Sequence, residues 1–112
     1  MLARPNRLTR GAEYKAVVRR GRRCAGAHTV TYVKPAVAEG PARFGFIVSR
    51  QVGGAVVRNT VRRRLKALCA EALPGLRPGS DIVIRALPSA ATAPFGELRA
   101  DVSRCLAREA SS

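Results

Sequence analysis

The chain of 112 residues is long enough for one domain with a single modest core and too short for two. It carries 21 Lys and Arg residues against 7 Asp and Glu residues, a formal net charge of +14 that exceeds what solubility requires. Such an excess points to nucleic acid or an anionic surface as the partner.

The number and spacing of the cysteines and histidines argue against both a disulfide framework and a zinc site. The three cysteines, Cys24, Cys69 and Cys105, show no C-x-x-C spacing, and His28 is the single histidine, so neither a disulfide framework nor a zinc site is predicted. The cysteines are expected to be small buried residues in a reducing cytosol. No apolar leader precedes residue 10 and no stretch approaches 18 apolar residues, so we expect a cytoplasmic protein with no membrane partner.

Residues 1–10 lack periodicity and contain three arginines, which predicts a flexible basic arm with Leu8 as its anchor. The spacing of Tyr14, Val17 and Val18 predicts a short helix over 11–20 that ends at Gly21.

Three runs predict β-strands. Residues 24–34 are β-branched and alternating, residues 43–50 are rich in apolar residues with Phe44 and Phe46 on one face, and residues 81–87 contain three consecutive β-branched residues. A turn is predicted at 36–41. The third strand is expected to be central and covered on both faces.

Two longer helices complete the predicted order. The first runs over 55–73, with an apolar stripe at Val57, Val61, Leu65, Leu68 and Ala72. The second begins at Pro94, and its stripe comprises Phe95, Leu98, Val102, Cys105 and Leu106.

The helix over 55–73 carries most of the functional signal. Five polar residues sweep round the side opposite its stripe, while Arg64 falls outside that sector; they are Arg58, Asn59, Arg62, Arg63 and Lys66. A solvated helix face usually mixes charges of both signs, yet this one has no acid until Glu71. Like charges at i,i+4 destabilise a helix, which favours a polyanionic partner.

This region closely resembles the signature of the bacterial ribonuclease P protein subunit. The matching residues are Phe44, Ser49, Arg50, Gly53, Ala55, Val56, Arg58, Asn59, Arg62, Arg63 and Lys66, together with Asn6, Arg7 and Leu8 near the start. Two positions depart from the family pattern, because the usual Arg-Asn-Arg triplet reads Arg58-Asn59-Thr60 and a later arginine is Lys66.

The resemblance implies an α+β fold: an α-β-sandwich of αβββαβα order, similar to ribosomal protein S5 domain 2, with a four-stranded sheet. The fourth strand would come from dividing the run 24–34 near Gly26. The family also implies a left-handed β-α-β crossover around the signature helix, whereas general rules favour a right-handed one if the two strands are parallel.

The resemblance further implies an accessory subunit of an endoribonuclease, with residues 1–112 forming one RNA-binding domain. In the family the RNA subunit catalyses removal of the 5′ leader from precursor tRNA and leaves a 5′-phosphomonoester, Mg²⁺ is bound mainly by RNA and substrate, and no protein partner is required. The implied RNA-subunit contacts are Arg50, Arg58, Asn59, Arg62, Arg63 and Lys66. The implied leader-binding cleft comprises Tyr14, Val18, Val30 and Tyr32, and Val18 stands where an aromatic residue is common.

Other readings of the same residues stay open at this point. The two tyrosines could be core residues with solvated hydroxyls. A structural RNA-binding protein of ribosomal type would show the same charge, and a DNA-binding helix would lack the usual helix partner before residue 55. A protein nuclease would need paired carboxylates or an activated His. Only Glu97 and Asp101 have helical spacing, and we expect them to be surface charges and His28 to have no catalytic part.

Overall fold

A computed structural model describes residues 4–34, 40–76 and 78–110. Within these ranges the helices are α1 (Gly11–Arg20), α2 (Ala55–Ala72) and α3 (Phe95–Ala110), the strands are β1 (Arg22–Ala25), β2 (Thr29–Lys34), β3 (Arg43–Ile47) and β4 (Asp81–Ala86), and short 3₁₀ turns occupy Arg4–Asn6, Leu73–Gly75 and Pro88–Ala91. The predicted turn over 36–41 lies mostly outside the described residues.

The four strands form one sheet in the order β1-β2-β4-β3. Strands β1 and β2 pair antiparallel, as do β2 and β4, whereas β3 and β4 pair parallel. The division of the first predicted strand near Gly26 is confirmed, because a turn separates β1 from β2. The segment β3-α2-β4 is a parallel β-α-β unit, and its left-handed sense stays a prediction.

Side-chain alternation divides the sheet into two covered faces. On one face, Phe44, Ile82 and Ile84 pack with α2 and α3. On the other face, Val30, Tyr32 and Val83 pack with Val17 of α1. The central position predicted for β4 is confirmed, since its Ile82, Val83 and Ile84 are fully buried.

Two predicted boundaries are corrected. Strand β3 ends at Ile47 and not at residue 50, because its parallel pairing with β4 ends where Ile47 lies beside Arg85. The apolar stripe of α2 begins at Val61 and not at Val57, which is 37% exposed. Val56, in the first turn of α2, is 81% exposed, so the apolar residues of this turn are not part of the buried stripe.

The N-terminal arm is held more firmly than its sequence suggested. Leu8 is buried, and its N–H donates to the Phe44 carbonyl at 2.8 Å. The prediction that Leu8 is its one anchor is wrong, because the Asn6 amide donates to the Ala42 carbonyl at 2.8 Å and Arg7 forms a parallel bridge with Phe44. Backbone bonding thus covers part of the β3 edge.

The cysteines are buried as predicted, but two of them are not free thiols. Cys24 of β1 and Cys105 of α3 form a disulfide with a Cα–Cα distance of 5.7 Å. Their separation of 81 residues gave no local spacing signal, so only the docking of α3 on the sheet brings them together. Cys69 is free and fully buried, and burial raises the pKa of its thiol.

Asp101 is a further correction, since it is buried and not a surface charge. Its carboxylate accepts hydrogen bonds from the N–H groups of Ala27, His28 and Thr29 and from the Thr29 hydroxyl, at 2.8–3.0 Å. A Cβ at Gly26 would clash with this carboxylate. Burial alone raises the pKa of Asp101, but the hydrogen bonds outweigh it and hold the pKa below its usual value. The residue fastens α3 to the β1–β2 turn.

Candidate nucleic-acid interface

The basic face of α2 comprises the five residues that the sequence placed in one sector, Arg58, Asn59, Arg62, Arg63 and Lys66. It lies opposite the buried residues Val61 and Leu65, as helical spacing requires. Arg62 Nη1 donates to Asn59 Oδ1 at 3.1 Å, so the amide NH₂ of Asn59 remains as a donor. Arg58 Nε is shielded from solvent and has no acceptor among the described residues.

Five carboxylates of the chain are engaged away from this face. Glu71 pairs with Arg99 at 3.1 Å, and Glu97 pairs with the ring of His28. Three further carboxylates are held elsewhere, those of Glu13 and Asp81 by Arg43 and that of Asp101 by the β1–β2 turn. The basic face therefore keeps its positive charge for a partner.

A cleft of about 410 Å³ opens between α1 and the sheet. Its walls combine apolar side chains with three cations, and the lining residues are Tyr14, Lys15, Val18, Arg19, Ile47 and Arg85. A second recess of about 510 Å³ shares Ile47 and Arg85 and continues to Ser49, Arg50 and Gln51. The cleft thus adjoins the loop that leads into α2.

An ion-pair network fixes α1 beside the cleft. Arg43 Nε and Nη2 donate to the two carboxylate oxygens of Asp81 at 3.0 and 2.9 Å, and Nη1 donates to Glu13 at 2.6 Å. Burial tends to raise the pKa of Glu13, but hydrogen bonds from the Arg10 backbone and from Arg43 hold it below its usual value. The paired charges join the start of α1 to β3 and β4.

Tyr14 and Val18, two of the four residues assigned to the leader cleft, line it. The Tyr14 ring lies over Gly45, where a Cβ would come within 2.5 Å of it. Its hydroxyl accepts from the Phe46 N–H at 3.3 Å and donates to the Leu8 carbonyl at 3.5 Å. Because Gly45 has no side chain, the Tyr14 ring can pack directly against the backbone of β3.

Val30 and Tyr32, the other two assigned residues, lie under the cleft. They are 5% and 8% exposed and belong to the apolar cluster that includes Val17 and Val83. The guanidinium of Arg85 lies 5.9 Å from the centroid of the Tyr32 ring. Tyr32 is therefore buried beneath the cleft, whereas the charged side chain of Arg85 lines it.

The sequence analysis did not identify four of the residues that line the cleft, namely Lys15, Arg19, Ile47 and Arg85. The signal for Arg85 was present, because it is the one charged residue between apolar neighbours in a strand expected to be covered on both faces. Lys15 and Arg19 could have been found from their i,i+4 spacing beside Tyr14 and Val18 on the same helix.

His28 has a structural position. Its ring nitrogens lie 2.8 Å from the Ser89 hydroxyl and 3.1 Å from a Glu97 oxygen, next to the turn held by Asp101.

In the described ranges no group of three His, Cys, Asp or Glu residues could hold a metal ion. No helix there is long and apolar enough to cross a membrane.

Comparison with known proteins identifies the family. A sequence model described as Ribonuclease P matches residues 2–110. The chain belongs to this family. It is 45% identical over 108 residues to the ribonuclease P protein component of Clavibacter michiganensis, covering 96% of each chain, and 48% identical over 109 residues to that of Acidothermus cellulolyticus, covering 96% of this chain and 91% of the relative.

The ribonuclease P assignment confirms the resemblance drawn from the signature residues and the subunit role that it implied. The ribosomal-type alternative is not favoured. The Staphylococcus aureus RNase P protein shares the fold at a TM-score of 0.81 and 19% identity, over 92% of this chain and 93% of that one. As a ribonuclease P component the chain is associated with an endoribonuclease that processes tRNA.

Proposed function

We propose that the chain binds the catalytic RNA subunit of ribonuclease P through the basic face of α2 together with Arg50. The observation that carries this proposal is the run of four cations and Asn59 on one helix face, with five carboxylates engaged elsewhere, those of Glu13, Glu71, Asp81, Glu97 and Asp101. Guanidinium groups bind phosphate in a bidentate manner, and Asn59 can contact a nucleotide edge or sugar. The exposed first turn with Val56 leaves the approach to this face open.

We further propose that the cleft beside α1 holds the single-stranded 5′ leader of precursor tRNA. The cations Lys15, Arg19 and Arg85 would follow the leader phosphates, while Tyr14 and Val18 offer apolar surface to unstacked bases. The second recess carries positive charge from Arg85 to Arg50, toward the basic face. One substrate strand could then run from the cleft to the RNA subunit.

Catalysis is assigned to the RNA subunit, with Mg²⁺ bound by RNA and substrate. Five carboxylates are engaged in ion pairs or hydrogen bonds, namely those of Glu13, Glu71, Asp81, Glu97 and Asp101, and no cluster of three His, Cys, Asp or Glu residues that could hold a metal ion is found in the described ranges. The role proposed for the protein is to position substrate and neutralise phosphate charge, in the cytoplasm and without a protein partner. Cleavage would yield the 5′-phosphomonoester of mature tRNA.

The salt dependence of binding tests the first contact. Replacing Arg63 with Gln should reduce the slope of log K against log [salt] for the RNA subunit by about 0.7–0.9, because one phosphate contact is lost. Arg64→Gln is the matched control, since it removes the same charge from the adjacent position outside the basic face. Equal slopes for the two variants would place the RNA contact elsewhere on the protein.

Cleavage assays test whether the RNA subunit catalyses the reaction and the protein only assists it. The protein freed of RNA should not cleave precursor tRNA, and adding it to the RNA subunit should lower the Mg²⁺ concentration needed for half-maximal cleavage. Arg63→Gln should shift this concentration upward, whereas Arg64→Gln should leave it near the parent value. Robust cleavage by RNA-free protein would overturn the assignment of catalysis to RNA.

A further inference from the structure

The disulfide between Cys24 and Cys105 joins the outer strand of the sheet to the last helix. It is the one covalent cross-link among the described residues, and it spans 81 residues of sequence. Neither the basic face of α2 nor the cleft uses it. Its surroundings combine concentrated positive charge, a buried hydroxyl without a hydrogen-bond partner among the described residues, and two sulfurs of unequal exposure.

Two arginines converge on the Cys24 sulfur. Arg104 Nη1 lies 3.8 Å from Sγ and Arg108 Nη1 lies 3.7 Å from it, while Arg104 Nη2 donates to the Ala25 carbonyl at 2.9 Å. Arg23 is a further exposed cation on the same strand. Asp101, on the same helix, is saturated by the β1–β2 turn. Positive charge of this kind stabilises a thiolate.

The Thr31 hydroxyl is a second feature, independent of the arginines. Thr31 is directly opposite Cys24 in the β1–β2 register, so the two side chains point to the same face of the sheet. The hydroxyl is fully buried and has no hydrogen-bond partner among the described residues. A buried donor without an acceptor is unfavourable. A thiolate at Cys24 would supply that acceptor.

The two sulfurs also differ in access. Cys24 is 7% exposed on a strand that pairs with β2 alone, whereas Cys105 is 1% exposed beneath α3. A nucleophile or disulfide from solvent therefore reaches Cys24 first.

We propose that Cys24 and Cys105 form a reversible thiol–disulfide exchange site, in which Cys24 is the exchanging sulfur and low-molecular-weight thiols and disulfides are the co-reactants. In oxidation, the Cys24 thiolate attacks a small disulfide, forms a mixed disulfide and expels one small thiolate. Cys105 then loses its proton to solvent and attacks the Cys24 sulfur, which expels the second thiolate. Two electrons pass from the protein to the small disulfide, and reduction follows the same steps in reverse.

The fold should persist in both redox states. Leu98, Val102 and Leu106 keep α3 packed on the sheet, and Asp101 keeps it bound to the turn. Reduction removes a cross-link that restricts the unfolded chain, so the thermal midpoint should fall by about 10 °C.

Single-cysteine proteins test which sulfur exchanges. Cys69→Ser/Cys105→Ser leaves Cys24 alone, Cys24→Ser/Cys69→Ser leaves Cys105, and Cys24→Ser/Cys105→Ser leaves Cys69 as the buried control. With oxidised glutathione at pH 7, intact-mass spectrometry should show one glutathione on the first protein well before either of the others. Thermal unfolding of each protein confirms that it is folded.

Two further measurements bear on the mechanism. In the Cys24-only protein, Arg104→Gln with Arg108→Gln should slow alkylation at pH 7 by about tenfold, the effect of one pKa unit on the thiolate fraction. Thr31→Val should slow it by a smaller factor. The proposal is overturned if Cys24 reacts no faster than Cys69, or if the parent treated with oxidised glutathione keeps three titratable thiols in denaturant.

Discussion

The two faces of the sheet are covered to very different extents. Among the described residues, α2 and α3 cover one face with a cluster of sixteen buried residues, whereas the ten-residue α1 covers the other with a cluster of five. The first face is closed, and the second leaves the cleft beside Arg85 and Val18. Stability thus depends mainly on one side of the sheet, and the other side is free to expose a groove.

The basic face of α2 follows from the same asymmetry. Because Val61, Leu65 and Leu68 are enough to fasten α2, its opposite side needs no apolar residues and can carry uncompensated charge. The stability lost through like-charge repulsion, about 0.2–0.5 kcal/mol per i,i+4 pair, is small beside the burial of one leucine.

The largest expected effect is on the closed face. Leu65 is fully buried between α2 and the sheet, so Leu65→Ala should lower the free energy of unfolding by about 2–5 kcal/mol. The matched change on the open face, Val18→Ala, should lower it by about 1 kcal/mol or less, since Val18 is half-buried. Urea unfolding monitored by circular dichroism measures both, and equal losses would contradict the comparison.

The second prediction concerns the attachment of α3. Asp101→Asn should lower the free energy of unfolding at pH 6 by about 1.5–3 kcal/mol, because a carboxylate that accepts four hydrogen bonds is replaced by an amide.

The pH dependence of that loss follows from the lowered pKa of Asp101. A folded-state pKa below the unfolded one gives stability that is present above the unfolded pKa and is lost as pH falls through the folded pKa. The difference between parent and variant should therefore shrink as pH is lowered below about 4. A difference that stays constant down to pH 2 would show that the carboxylate charge does not contribute.

The third prediction concerns the cleft. Arg85→Gln should weaken precursor tRNA binding by the assembled complex and reduce its salt slope by about 0.7, as expected for one contact with a single strand. Mature tRNA binding should not change. Arg20→Gln, on an exposed part of α1 outside the cleft, is the control. Arg85 is a cleaner probe than Tyr32, because truncating the buried tyrosine also removes core packing.

The smallest effect should come from adding an aromatic ring to the cleft. Val18→Phe should strengthen precursor binding by about 1 kcal/mol if a leader base stacks on the new ring. Competition assays with precursor and mature tRNA isolate this gain from any general change in affinity. An unchanged preference for precursor over mature tRNA would count against leader stacking at this position.

Much of the site was accessible from sequence, for a physical reason. Helical period alone places Arg58, Arg62 and Lys66 on one side of α2, since the spacing of residues along a helix fixes their angle. The cleft was harder to predict, because its walls come from α1, β3 and β4 and depend on how α1 lies across the sheet. Val30 and Tyr32 were expected to line the cleft, yet packing under α1 buries both of them.

The sequence by itself determined the elements, the charged side of α2 and the family, because these depend on local spacing and on residue identity. Tertiary structure decided the contacts between distant segments. Asp101 resembled a surface acid until α3 brought it to the turn 73 residues away, and Cys24 met Cys105 across 81 residues. Local sequence patterns do not predict such pairs, because the distance between the two residues in space depends on how one whole element packs on another.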